Sequence, residues 1–215
     1  MDAQHHTQAS EKIVYVVDDD ESVRTALTRS LEKRGYSVFC YDSGDAFLKN
    51  YVPGQAACLI LDVRMPGMSG LDLQEQLINQ HPSLPIIFVT GHGDIPMSVR
   101  AIKKGAFEFL EKPYSVDALQ QHIEQAITKS SLLLEQESHA REINLRFAKL
   151  TARELDVMRL LVAGIANNSN KEIARELNIS HRTVDDHRAR IMSKMEARSL
   201  AELVEMSKIC GIHEP

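Results

Sequence analysis

Four short apolar runs in the first half of this chain each stop at residues able to handle phosphate or a metal ion. Ile13–Val17 lead into Asp18, Asp19 and Asp20, Cys58–Leu61 into Asp62, Ile86–Val89 into Thr90, and Phe107–Leu110 into Glu111, Lys112 and Pro113. Neighbouring carboxylates resist ionising unless positive charge lies between them. Gathered together, Asp18, Asp19 and Asp62 make a hard oxygen site suited to Mg2+, which accepts a few carboxylates and keeps several waters. A carboxylate so placed can attack a phosphoryl group while the metal and a lysine offset charge on the equatorial oxygens. Asp62, the lone acid at the end of its run, is the expected acceptor. Lys112 supplies the ammonium, and Thr90 a hydroxyl for the arriving phosphoryl oxygen.

The elements that must bring these residues together follow from periodicity. Apolar runs of four or five residues separated by helix-length polar segments read as buried parallel strands, and Tyr36–Tyr41 reads as a fifth. Val23, Leu27 and Leu31, then Leu73, Leu77 and Ile78, then Val99 and Ile102, then Leu119, Ile123 and Ile127 recur at helical spacing. Gly35 stands where the first helix should stop. Alternating strands and helices joined by right-handed crossovers predict a doubly wound, five-stranded parallel sheet. Ligands of such sheets bind beyond the carboxyl ends of the strands, where the acids, the hydroxyl and the ammonium lie.

These motifs have a resemblance. Val17-Asp18-Asp19-Asp20, Leu61-Asp62-Val63-Arg64-Met65-Pro66-Gly67, Val89-Thr90-Gly91-His92-Gly93-Asp94 and Phe109-Leu110-Glu111-Lys112-Pro113 closely resemble the receiver domain of bacterial response regulators, over residues 13 to about 128. The resemblance implies Asp62 as phosphoacceptor, Asp18, Asp19, Asp62 and the main-chain carbonyl of Arg64 as Mg2+ ligands, Thr90 and Phe109 as a switch pair, and Lys112 as phosphate partner. Arg64 and His92 border the site and would influence dephosphorylation. The stretch from Gly91 to Met97 looks most like the FixJ-type branch. A rival reading takes Asp18-x-Asp20-x-Ser22 as the start of a haloacid-dehalogenase-like phosphatase with Asp18 as nucleophile. It requires a further strand after Lys112 and leaves Asp62 unexplained.

At 215 residues the chain exceeds one usual domain. Residues 1–12 read as a tail, 13–128 as the sheet domain, 129–148 as a helical linker and 149–215 as a second domain; residues 115–148, without Gly or Pro, read as one long helix with a break near Ser130 and Ser131. Thr151-x-x-Glu154 is a capping box opening a fresh helix. Lys171–Leu177, a turn at Asn178 and Ile179, and a longer helix capped by Ser180 make a helix-turn-helix. About 100° per residue puts Val184, Ile191 and Met195 on one side of that longer helix, with Arg182, Asp186, Ala189 and Ser193 opposite, flanked by Asp185 and Arg190. The outward side would enter a major groove.

Leu150-Thr151-x-Arg153-Glu154, Lys171-Glu172-Ile173-Ala174 and Ile179-Ser180-x-Arg182-Thr183-Val184-x-x-His187-Arg188 resemble the LuxR-type four-helix DNA-binding domain. That resemblance implies Lys171, Arg182, Thr183, Arg188, Arg190, Lys194 and Arg198 as phosphate contacts or nearby structural groups, and Asp185, Asp186 and Ala189 as base-reading positions. Residues 165–170 are about three longer than the family pattern. Together the two resemblances imply a transcription regulator, not an enzyme, whose partners are a sensor histidine kinase, promoter DNA, a second copy of the phosphorylated chain and RNA polymerase. A receiver joined to a helical protein-interaction module is the alternative.

Composition agrees. The net charge of −5 sits in residues 1–130, where 17 acids face 12 bases, while residues 151–215 balance at 10 and 10. DNA contact must therefore come from local clustering. Cys40, Cys58 and Cys210 are odd in number and show no paired-ligand spacing, which suits a reducing compartment. No apolar stretch has membrane length and the first residues lack a signal-peptide core, so a cytoplasmic protein without membrane contact is expected.

Overall fold

The computed structural model describes residues 12–91, 95–163 and 169–212. These form two compact units that meet inside one helix, between Glu135 and Gln136.

The first unit is a parallel sheet of β1 (Ile13–Val17), β2 (Ser37–Tyr41), β3 (Ala57–Leu61), β4 (Ile86–Thr90) and β5 (Glu108–Glu111) in the order β2-β1-β3-β4-β5. The order reverses at β1, the doubly wound topology read from the sequence. Every residue of β1, β3 and β4 is buried, as strands covered on both faces must be. Helices α1 (Glu21–Glu32), α2 (Gly44–Asn50), α3 (Gly70–Gln80), α4 (Ile95–Lys103) and α5 (Val116–Phe147) supply the covers. One core gathers Tyr15, Phe47, Leu59, Leu73, Leu77 and Phe88; the opposite face gathers Val14, Val16, Leu31, Ile60, Leu119 and Ile123. Gly35, at φ +82°, makes the left-handed turn after α1. The chain passes from β5 into α5 with no sixth strand among the described residues, which removes the phosphatase reading.

The expected break at Ser130 does not occur: α5 runs unbroken for 32 residues. Ser130 is fully buried, its hydroxyl donating to the Ser83 carbonyl at 2.6 Å and accepting from Ala57 N–H at 3.2 Å. A serine weakens a helix when it competes for local backbone. Here its hydroxyl is occupied by distant backbone groups instead. Residues 129–147 are thus the C-terminal part of α5, and Ile143 belongs to the second unit's core.

The second unit continues with α6 (Ala152–Val162), α7 (Asn170–Glu176), α8 (His181–Met195) and α9 (Leu200–Ile209). Thr151 and Glu154 close the capping box, and Ser169, Ser180 and Ser199 cap the next three helices. Val157, Met158, Leu161, Ile173, Val184, Ile191, Met195 and Leu203 fill the core. Asn178, at φ 53°, turns the chain between α7 and α8.

Candidate functional site

Strand order dictates where chemistry collects. β1 and β3 are neighbours with Val17 level with Leu61, so Asp18 and Asp62 emerge side by side; β4 delivers Thr90 next to them and β5 delivers Lys112. Asp18 is 5% exposed, Asp62 8% and Thr90 1%. Asp18 Oδ1 accepts from Asp20 N–H at 2.9 Å, its Oδ2 from Lys112 Nζ at 3.3 Å, and its carbonyl from the Arg24 guanidinium at 2.7 Å. Arg64 N–H donates to Asp62 Oδ2 at 2.7 Å. The floor is tight: a Cβ on Gly70 would lie 2.1 Å from the Asp62 carbonyl oxygen, so only glycine lets α3 begin there.

The electrostatics are unbalanced. Burial pushes the Asp62 carboxyl above its ordinary range and the nearby Asp18 charge adds to the rise, while Arg64 N–H, Lys112 and a Thr90 hydrogen bond oppose it without prevailing. Two buried carboxylates share one ammonium. That set fits a small divalent ion, which needs only one or two carboxylates. Asp19 is exposed, and among the described residues no three His, Cys, Asp or Glu groups converge at metal-binding distance. Asp20 caps α1 through Ser22, whose N–H and hydroxyl donate to it at 2.8 and 2.6 Å. Phe109 is half-buried against Phe88, ring centroids 6.0 Å apart, two residues before Glu111, the register partner of Thr90. His92 lies outside the described residues, as do residues 164–168, most of the longer loop.

The second unit exposes one side of α8. Val184, Ile191 and Met195 are buried, and Arg182, Asp185, Asp186, Ala189, Arg190 and Ser193 are exposed, as the helical winding required. Lys171 and Arg198 are exposed as well, and Thr183 and Arg188 are half-buried. Thr183 pairs its hydroxyl with that of Ser180 at 2.8 Å. Lys194, expected as a phosphate contact or a nearby structural group, takes the structural place. Its ammonium donates to Glu154 Oε2 at 2.7 Å and to the Lys149 carbonyl at 3.1 Å, committing it to protein partners. The sequence reading gave Arg24, Gly70 and Asn170 no role of their own. Only Gly70 carried a signal, a glycine at the very start of a helix.

Comparison with known proteins bears on both units. Residues 14–124 match the family model described as response regulator receiver domain, and residues 148–207 the model for bacterial regulatory proteins of the luxR family. The transcriptional regulatory protein FixJ of Bradyrhizobium diazoefficiens is 43% identical over 93% of this chain and 96% of its own length. The chain belongs to the FixJ-type response regulators. Nodulation protein W of the same species is 42% identical over 96% of this chain and 90% of its own length. Among solved structures, response regulator StyR superposes with a TM-score of 0.77 at 44% identity, covering 92% of this chain and 98% of its own. Full-length FixJ from B. japonicum gives 0.53 at 41% identity, covering 94% and 98%. FixJ-type regulators couple a receiver to a LuxR-type DNA-binding domain and regulate transcription. Among the described residues no helix is long and apolar enough to cross a membrane.

Proposed function

We propose that Asp62 accepts a phosphoryl group from a sensor histidine kinase and that the phosphorylated protein dimerises on promoter DNA in the cytoplasm, where it acts on RNA polymerase. The observation that carries the first step is the Asp62 carboxylate, buried and under-compensated beside Asp18 and Lys112. Arg64 N–H orients the carboxylate plane. An oxygen of Asp62 forms the new bond to phosphorus as the bond from phosphorus to the kinase imidazole nitrogen breaks, and Lys112 faces the charge that arrives. Asp18, Asp19, Asp62 and the Arg64 carbonyl would hold Mg2+, whose charge, when bound, offsets that of the phosphoryl oxygens. Thr90 then turns its hydroxyl to the phosphoryl oxygen, and Phe109 follows into the room it leaves.

On the DNA side, Lys171, Arg182, Thr183, Arg188, Arg190 and Arg198 position the protein on phosphates, while Asp185, Asp186 and Ala189 face base edges. Two acids on the reading face repel phosphate, so one copy binds weakly. Two copies on adjacent half-sites bind well, which makes dimerisation a workable switch. The test is incubation with acetyl phosphate and Mg2+. The wild-type chain gains acid-labile phosphate and the Asp62→Asn variant gains none; persistent labelling of the variant refutes the assignment.

A further inference from the structure

Asp185 and Arg188 lie three positions apart on α8, close enough to share a partner on one helix side. That partner comes from α7. Asn170, the first residue of that helix, donates its Nδ2 to Asp185 Oδ1 and accepts at its Oδ1 from Arg188 Nη1 at 2.7 Å. An amide can donate to an acid and accept from a base at once, and it brings no charge of its own.

The consequence concerns what Asp185 can do in a groove. A carboxylate there reads cytosine by accepting from its N4 amino group. Left loose, an exposed aspartate samples several rotamers and leans away from the phosphates. Tethered through one oxygen, it keeps the other for the base and loses that freedom before DNA arrives, which is preorganisation. We propose that Asn170 is a positioning residue for sequence specificity: it fixes Asp185 against the base edge and so sets selection of a C·G pair at one position in each half-site. This rests on the reading of Asp185 as a base-contacting group.

The test is selection of duplexes from a randomised library by full-length protein treated with acetyl phosphate, with affinities then measured across salt. Wild type enriches C·G at one position per half-site, and Asp185→Ala loses it. Asn170→Ala reduces that preference from about tenfold to about twofold and leaves the salt slope unchanged, since the Arg188 guanidinium that it releases stays on the protein and the number of phosphate-facing cations is the same. Asn170→Asp preserves an acceptable helix start, because acids suit the first turn. It removes the amide donor and repels Asp185, so the same preference falls. Retention of the wild-type preference by both Asn170 variants overturns the proposal, as does an equal loss of affinity for every sequence. Wild-type binding with no preference that Asp185→Ala removes overturns the Asp185 reading and this inference with it. Absence of any duplex binding fails earlier, at the DNA-binding function itself.

Discussion

Asp62 in the first unit and Glu154 in the second are both carboxylates withdrawn from water, at 8% and 2% exposure, yet they end in opposite electrostatic states. Burial lifts Asp62, Asp18 lifts it further, and its hydrogen-bond partners fall short. Burial also works against ionised Glu154, but the Lys194 ammonium and the Thr151 N–H and hydroxyl overcome it and hold the acid at about 2. A buried acid with enough donors is an anchor. One with too few retains a demand for positive charge, and that demand can be met by a metal ion and used in phosphoryl transfer.

The contrast can be broken by mutation. Glu154→Gln strands the Lys194 ammonium against a neutral partner and should destabilise the second unit by about 2–3 kcal/mol, read as faster amide exchange in α6 and α8. Ser130→Ala leaves the buried Ala57 N–H and Ser83 carbonyl without their shared hydroxyl and should cost the first unit about 1–3 kcal/mol. All five tyrosines, Tyr15, Tyr36, Tyr41, Tyr51 and Tyr114, lie in that unit and the chain has no tryptophan, so tyrosine fluorescence in urea reports it alone. Asp62→Asn acts in the other direction: removing an ill-compensated charge should stabilise the first unit by about 0.5–1 kcal/mol in the same measurement. A loss of stability would show that Asp62 is as well satisfied as Glu154.

Acid should separate the two carboxylates as well. The contribution of Glu154 is complete above its ordinary value of 4.5 and is lost as pH falls toward about 2. Asp62 has the reverse sign. Its ionisation opposes folding at neutral pH, and that opposition is relieved as pH falls through its raised value toward 3.8. The smallest effect distinguishes two cations of α8. Arg190→Ala should lower the salt slope of DNA binding by about one, whereas Lys194→Met should leave the slope unchanged while weakening the fold.

The sheet and the edge that carries the candidate site were legible because four of the five strands are short apolar runs that end at a candidate site residue. Asp18, Asp62, Thr90 and Lys112 needed only parallel strands in the right order to meet. The side of α8 that bears Asp185, Asp186 and Ala189 was legible for a similar reason, since helical winding is set by period alone. What escaped depends on partners far away in the chain. Ser130 looks like a helix breaker until Ser83 and Ala57 reach it, and Lys194 looks like a phosphate contact until Glu154, 40 residues earlier, captures it. Asp18 and Asp19 read alike in the sequence, yet the structure buries the first and leaves the second exposed, because adjacent residues at a strand end point different ways.

Helix α5 gives Leu119, Ile123 and Ala126 to one core and Ile143 to the other. A protease nick or a truncation within it is therefore clean only between those two sets of residues. A fragment ending at residue 128 leaves out Ser130 and exposes the two backbone groups that its hydroxyl serves, and a fragment beginning after Ile143 opens a hole under α6 to α9. Whoever wishes to isolate either half should cut between Ser130 and Ile143, where neither interior loses a member.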